Sequence, residues 1–217
     1  MILGLDTSTA ATAAAVWSPD GREVERRDDP AAGQRPAHAA RLLVLVEEAL
    51  AEAGASWDDI DRIAAGVGPG GFTGLRLGIA TARALAQARS LPLVGVSSLQ
   101  ALAAPHESAL AVIDARRGEV FAAGWRGGER FLDPVAIAPA ELAARIEPGV
   151  LAVGDGAVKF RGELEQAGAV VPADDSPAHR VSALEVCRLG AAGDPADRDA
   201  LLPDYRREPD AKPPRLP

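Results

Sequence analysis

The residues best suited to chemistry lie at the start of the chain, where an acidic residue is followed by three hydroxyl side chains. Ile2 to Leu5 predicts a short apolar strand that ends at Asp6, and Thr7, Ser8 and Thr9 form the polar turn after it. Such a carboxylate can hold a cation through water, and the N–H groups of the turn can face a phosphate. The same residues can instead satisfy only the hydrogen bonds of the turn.

These two interpretations of the turn lead to different cofactor predictions. As a degenerate phosphate loop it would bind ATP or ADP with Mg²⁺, whereas as a structural turn it binds nothing. The other parts of a phosphate site are not evident in the sequence. We therefore predict no cofactor and keep the nucleotide as the alternative.

A second candidate is the glycine-rich stretch from Gly66 to Ala86. Four glycines and a proline within six residues follow the apolar run Ile63 to Val67. This pattern predicts a strand, a tight turn and then a helix, which Thr73 is placed to cap. The common phosphate motifs do not fit, because the stretch has no lysine for a Walker loop and no acidic residue about 20 positions on for a dinucleotide fingerprint.

Small side chains recur every fourth residue along this helix, at Gly74, Gly78, Ala82 and Ala86, so they share one face. Glycine within a helix costs about 1 kcal/mol relative to alanine. The two glycines therefore indicate that another backbone packs very close. That backbone belongs either to the sheet of the same chain or to a partner helix, and both interpretations stay open.

The histidines do not indicate a metal site. His38 lies near the start of the first long helix, but the residue four positions on is Leu42, and His106 and His179 lie far away without ligand spacing. We interpret His38 as a surface or capping residue and predict no metal.

Of the 217 residues, 47% are hydrophobic and 25% are charged, which is the composition of an ordinary globular protein. The net charge of −8 argues against direct binding to nucleic acid or to an anionic membrane. The single cysteine, Cys187, cannot form an internal disulfide, and no signal peptide or apolar run of about 20 residues is present. We therefore expect a cytoplasmic protein with no membrane association.

The elements that must position these residues form a pattern that occurs twice. The first hundred or so residues read as three strands and a helix, followed by alternating strands and helices, which is typical of a ribonuclease-H-like unit. The pattern restarts at Ala109 to Asp114, where a strand again ends in an acidic residue before a solvated turn. In the second half, Gly154 to Gly156 opens a helix predicted to run to about Gln166, and a strand that enters a loop is predicted from Ala169. We predict two related halves, residues 1–104 and a smaller 105–207, and a disordered tail at 208–217.

The first long helix, predicted over Arg35 to Gly54, is apolar on more than one face. Its main stripe consists of Leu42, Leu45, Val46, Ala49 and Ala53. Leu43 and Val44 widen the apolar surface beyond that stripe. Such a helix is expected to make two contacts, one with the sheet and one with something else.

Four motifs together resemble one bacterial protein family. They are ILGLDTSTAATAAAVW from residue 2, GPGGFTGLRLGIATARALA from residue 68, VGVSSLQALA from residue 94 and IDARRGEVF from residue 113. They resemble the TsaB (YeaZ) proteins, in the family's order and over the first 120 or so residues. The resemblance implies an α/β fold of the actin-like ATPase (ASKHA) type, in which two ribonuclease-H-like halves have mixed sheets flanked by helices.

The resemblance also implies a function in tRNA modification. TsaB proteins are non-catalytic subunits of the complex that adds the threonylcarbamoyl group to N6 of adenosine 37 in tRNAs reading codons that begin with A. A TsaD subunit carries out the transfer, and a small ATPase, TsaE, joins the pair. On this basis we predict a scaffold without catalytic residues that meets tRNA only through the complex.

The family's pairing surface is built from the first two long helices, and alone this surface can pair with a second copy as a homodimer. The interface residues that the resemblance implies here are Leu42, Leu45, Val46, Gly74, Arg76, Gly78, Ala82 and Ala86. Gly78→Leu is expected to abolish pairing while the monomer stays folded.

The alternative function is that of an active ATP-dependent kinase or ATPase of the actin-like superfamily, with Asp6 as its metal carboxylate. It requires a catalytic acid or base and an adenosine pocket in the second half, and neither is evident. The end of the chain departs from the family pattern, since Arg206 stands where the Pro-x-Tyr-Leu-Arg ending has leucine.

Overall fold

The computed structural model describes residues 1–31 and 33–206. The tail predicted over residues 208–217 lies outside the described residues. Within them, no helix combines the length and the apolar character needed to cross a membrane.

Five strands form the first sheet, in the order β3-β2-β1-β4-β5. They are β1 (Ile2–Asp6), β2 (Thr12–Trp17), β3 (Glu23–Asp28), β4 (Arg62–Gly68) and β5 (Leu93–Ser97). The first strand pairs antiparallel with β2 and parallel with β4. Both β1 and β2 are almost entirely buried, which explains why they read as continuous runs of apolar and small residues.

The second sheet repeats the first with one strand fewer among the described residues. Its order is β8-β7-β6-β9, built from β6 (Ser108–Arg116), β7 (Glu119–Arg126), β8 (Glu129–Ile137) and β9 (Leu151–Val153). Strand β6 pairs antiparallel with β7 and parallel with β9, as β1 does with β2 and β4. The predicted repeat of a ribonuclease-H-like pattern is therefore confirmed.

Seven helices connect and cover the strands in the described part of the chain. They are α1 (His38–Glu52), α2 (Phe72–Arg89), α3 (Ser98–Ala103), α4 (Pro139–Ala143), α5 (Asp155–Lys159), α6 (Arg161–Gln166) and α7 (Ala183–Ala192). Helices α1 and α2 pack on one face of the first sheet. Helices α3 and α7 share the core on its other face with the second sheet, whose outer face packs against α4, α5 and α6.

Three local predictions differ from the structure. Helix α2 begins at Phe72 with Gly71 as its N-terminal cap, so Thr73 lies inside the first turn and caps nothing. The helix predicted to run to about Gln166 is broken at Phe160 into α5 and α6. The strand predicted from residue 169 makes only an isolated bridge, between Val170 and Leu151.

The predicted division at residue 104 does not separate two self-contained bodies. Helix α7 packs on β1, β2 and β4 of the first sheet. After it, residues 194–206, which we call the C-terminal strap, return to the first half. Within the strap, Ala196 pairs with Leu93 of β5, and Leu201 is buried in the core beneath α2. The second half of the sequence thus supplies one helix and the strap to the first half of the fold.

Candidate functional site

Strand β1 places Asp6 at the end of the sheet, where its side chain is buried and fully engaged. Its Oδ1 accepts hydrogen bonds from the backbone N–H of Ser8 (2.9 Å) and from the hydroxyl of Ser8 (2.8 Å). Its Oδ2 accepts a hydrogen bond from the hydroxyl of Ser98, the first residue of α3, at 3.0 Å. The carboxylate thus ties the turn to a helix that lies 92 residues further along the chain.

Burial raises the pKa of Asp6 above its ordinary value, because desolvation disfavours the charged form. The hydrogen bonds from Ser8 and Ser98 and the positive charge of Arg27 oppose this shift but do not cancel it. A carboxylate in such a place is poorly suited to present its charge to an external cation.

The glycine-rich loop closes over this turn. The N–H of Gly71 donates to the carbonyl oxygen of Ser8 at 2.6 Å. Thr7 and Ser8 are buried, and Thr9 is the one hydroxyl residue of the three that is partly exposed. A side chain at Gly70 of the loop would collide with the carbonyl oxygen of Ser8, and one at Gly66 of β4 would collide with Oδ2 of Asp6, so both positions need glycine. These contacts support the interpretation of the turn as purely structural. That no nucleotide binds there stays a prediction.

His38 is buried, so its interpretation as a surface or capping residue is wrong. Its Nδ1 lies 2.8 Å from the hydroxyl oxygen of Thr12, and the residue that caps α1 is Ala37. Burial lowers the pKa of His38, although the charges of Asp6 and Asp28 oppose the shift. Within the described residues, no group of three or more His, Cys, Asp or Glu side chains is arranged to hold a metal.

The small-residue stripe of α2 faces the protein's own sheet. The hydroxyl of Thr7 donates to the carbonyl oxygen of Gly74 at 2.8 Å. A Cβ atom at Gly74 would collide with the carbonyl oxygen of Thr7, and one at Gly78 would collide with its hydroxyl. Ala82 and Ala86 are fully buried on the same face. The two glycines indicated that another backbone packs close to α2, and that backbone belongs to the Asp6 turn.

This burial corrects the interface residues taken from the resemblance. Seven of the eight are buried within the chain: Leu42, Leu45, Val46, Gly74, Gly78, Ala82 and Ala86. Arg76 is exposed. The seven cannot offer their side chains to a partner in this structure. Since a Cβ atom at Gly78 would collide with the hydroxyl of Thr7, Gly78→Leu is expected to destabilise the monomer as well as any pairing.

The surfaces that α1 and α2 do expose lie on the opposite faces of the two helices. On α1, Leu43 is 52% exposed and Val44 is 42% exposed. On α2, Ala80 and Ala84 are exposed and Leu77 is half-buried. The sequence indicated this surface because α1 is apolar on more than one face. Leu43 and Val44 lie outside the stripe that packs on the sheet.

Two acidic residues near the turn of the second half, Asp114 and Asp155, are also engaged by the chain's own groups. The side chain of Asp114 is nearly buried and pairs with the ammonium of Lys159 at 2.9 Å, so the turn is less solvated than expected. Asp155 accepts a hydrogen bond from the backbone N–H of Asp114 at 3.0 Å, and burial raises its pKa. The backbone N–H of Gly154 donates to Nδ1 of His179 at 3.1 Å.

Comparison with known proteins gives consistent matches. Residues 31–161 match the family model described as TsaD, tRNA N6-adenosine threonylcarbamoyltransferase. The tRNA threonylcarbamoyladenosine biosynthesis protein TsaB of Escherichia coli is 38% identical over 139 residues, which cover 59% of this chain and 56% of that protein.

Solved structures extend the match to the whole fold. YeaZ from Pseudomonas aeruginosa superposes with a TM-score of 0.76 and 31% identity, covering 94% of this chain and 98% of that one. ROK hexokinase from Thermus thermophilus superposes with a TM-score of 0.50 at 16% identity, which shows a shared fold only. The predicted α/β fold of the actin-like type is confirmed, and the chain belongs to the TsaB (YeaZ) family.

Proposed function

We propose that this chain is a non-catalytic scaffold subunit of the complex that makes threonylcarbamoyladenosine in tRNA, and that it pairs with a TsaD-like catalytic subunit through the exposed faces of α1 and α2. The observation that carries the pairing is the exposed apolar surface of α1 at Leu43 and Val44. The family names, including that of the Escherichia coli relative, support the pathway.

The exposed face has the size and the chemistry of a helix-packing interface. Burying a side chain such as Leu43 or Val44 contributes about 1.5–3 kcal/mol relative to leaving it in water. The small side chains of Ala80 and Ala84 let a second helix approach α2 closely. Helices α1 and α2 have 15 and 18 residues, so they are about 22 and 27 Å long. Two such helices can supply the roughly 800 Å² per partner that a stable interface needs.

The closed Asp6 turn supports a subunit without chemistry of its own. Both carboxylate oxygens of Asp6 accept hydrogen bonds, one from Ser8 and the other from Ser98, and Asp114 forms an ion pair with Lys159. Catalysis then belongs to the TsaD-like partner, and tRNA and a TsaE-like ATPase join through the complex in the cytoplasm. Without its partner the same apolar surface pairs two copies of this chain.

The pairing surface is tested by placing a charge on it. Val44→Asp should weaken binding to the purified TsaD-like protein of the same genome at least tenfold, as measured by titration calorimetry, because a carboxylate would be buried against apolar groups. Val170→Asp is the matched control, since Val170 is 53% exposed but lies in the second half of the fold. Equal affinities for the two folded variants would contradict the surface, and no binding by the wild type would contradict the pairing.

The pathway is tested in cells depleted of this protein. Nucleoside mass spectrometry of their tRNA should show loss of threonylcarbamoyladenosine, which the wild type restores. Asp6→Asn should restore it as well, because asparagine keeps the shape of the turn while removing the carboxylate. An unchanged level of the modified base on depletion would overturn the pathway, and failure of a folded Asp6→Asn protein would favour the ATP-dependent alternative.

A further inference from the structure

Exposed apolar side chains gather at one place beside the N-terminal end of α2. Of the seven large apolar residues that are most exposed in the described part of the chain, Phe72, Leu202 and Tyr205 lie together there. The rings of Phe72 and Tyr205 stack with their centroids 5.6 Å apart. Leu202 and Tyr205 line a groove of about 660 Å³ between α2 and the C-terminal strap. Aromatic residues grouped at an exposed groove are typical of the centre of a protein interface.

Arg76 lies beside these stacked rings and contacts both of them. Its guanidinium carbon lies 3.8 Å from the centroid of the Phe72 ring. Its Nε donates a hydrogen bond to the hydroxyl oxygen of Tyr205 at 2.7 Å. An arginine that is already ordered loses less entropy when it binds, and its planar fork matches the two oxygens of a carboxylate.

The charge of Arg76 is not neutralised within the described residues. Its contacts there are with Phe72 and Tyr205, neither of which is acidic. Two turns further along α2, Arg83 lines the same groove and is paired with Asp199 at 2.8 Å. The two terminal nitrogens of Arg76 therefore have no acidic partner among the described residues.

We propose that the Phe72–Arg76–Tyr205 cluster receives an acidic side chain of the TsaD-like partner, presented next to an apolar one. This inference rests on the proposed function, since the cluster lies on the flank of α2 next to its exposed face. A partner of standard interface size that covers α2 reaches this flank. Nucleic acid fits less well, because phosphate backbones are bound by clusters of Lys and Arg. Of the two arginines that line the groove, Arg83 is already paired with Asp199, so Arg76 is a single cation without an acidic partner among the described residues.

Arg89 provides the matched control for a test of this contact. It lies on the same helix and stacks on Trp57, with its guanidinium carbon 5.0 Å from the ring centroid, but it is at the other end of α2. Arg76→Gln should weaken binding to the TsaD-like protein about tenfold or more, the usual effect of losing a charge-assisted hydrogen bond. Arg89→Gln should leave the affinity within about twofold. Tyr205→Phe, which frees Arg76 to move, should give a smaller loss than Arg76→Gln.

The outcomes separate this inference from the proposed function. No binding by the wild type would overturn the pairing itself. Binding by the wild type with equal affinity for Arg76→Gln would overturn the acidic contact alone, and so would equal losses for Arg76→Gln and Arg89→Gln, which would indicate a general charge effect. Retained affinity for the protein partner together with weaker tRNA binding by the Arg76→Gln complex would assign the cluster to nucleic acid instead.

Discussion

At the scale of single residues, the contact between Thr7 and α2 decides how the turn and the helix fit together. The hydroxyl of Thr7 donates to the carbonyl of Gly74 and occupies the space where a side chain at Gly78 would stand. The turn therefore requires glycine at positions 74 and 78 of α2. The close packing of the turn on the helix offsets the lower helix propensity of these glycines.

Gly78→Ala is expected to lower the free energy of unfolding by about 1–3 kcal/mol, because the new methyl group would overlap Thr7. In a Thr7→Ala background the same substitution should cost much less, since the colliding oxygen is gone. Urea denaturation of the four proteins of this double-mutant cycle measures the coupling. Gly162→Ala, where a Cβ atom meets nothing within 4 Å, is the control and should be neutral or stabilising. Additive effects of the two substitutions would contradict the contact.

Asp6 should make stability depend on pH in a definite direction. Its pKa is raised in the folded state, so the folded protein holds the proton more tightly than the unfolded chain, whose aspartates titrate near pH 3.9. The contribution of Asp6 to stability is then largest at low pH and falls as pH rises from about 4 through the folded pKa.

Asp6→Asn removes this dependence. Its free energy of unfolding should rise relative to that of the wild type as pH increases from about 4 towards neutrality. Urea denaturation at several pH values measures the difference, and Asp58→Asn, at a side chain that is 96% exposed, serves as the control. A difference between Asp6→Asn and the wild type that stays constant with pH would contradict the raised pKa.

At the scale of elements, the C-terminal strap extends the first half of the fold. Leu201 of the strap is 7% exposed and packs in the core beneath α2, whereas its neighbour Leu202 is 67% exposed. The backbone N–H of Asp204 donates to the carbonyl of Val67 at 2.7 Å, which fixes the strap beside the end of β4. The strap thereby shapes the groove in which Arg76 lies.

Leu201→Ala should lower the free energy of unfolding by about 2–5 kcal/mol, because it leaves a cavity beneath α2. Leu202→Ala should change it by no more than about 0.5 kcal/mol, since its side chain is in solvent. Thermal and urea denaturation of the two variants give the comparison. Equal effects from these neighbouring leucines would show that the strap does not pack on the first half in solution.

At the scale of the whole molecule, the two sheets share one core through α3 and α7. Arg62 of β4 donates hydrogen bonds to carbonyls near the C-terminal end of α7, including that of Gly190 at 2.8 Å. Arg27 of β3 donates to the carbonyl of Val181 at 2.7 Å. These bonds join residues more than 100 positions apart, so we expect the halves to unfold together.

A fragment of residues 1–104 should therefore fail to form a stable domain, because it lacks α7 and the strap that cover its sheet. Residues 1–206 should unfold in one cooperative transition. Circular dichroism during urea denaturation, with dye binding as a probe of exposed apolar surface, distinguishes the two behaviours. A fragment that unfolds cooperatively with the stability of the longer chain would show that the first half is independent after all.

Local sequence patterns determined much of this protein. The order and approximate bounds of the strands in both halves, the repeat and the family follow from runs of apolar residues, glycine turns and four motifs, all of which are readable over short stretches. The bounds of β1 agree with the prediction, since the apolar run from Ile2 ends at the acidic residue Asp6.

Only the tertiary structure decided which surfaces are free. A stripe of small residues has the same appearance whether it packs on its own sheet or on a partner, and Thr7, which settles the question, lies 67 residues before Gly74. The closure of the Asp6 turn likewise depends on Ser98, and the cluster around Arg76 depends on Tyr205 of the strap. Such contacts arise from chain segments that meet only after folding, so no local periodicity encodes them.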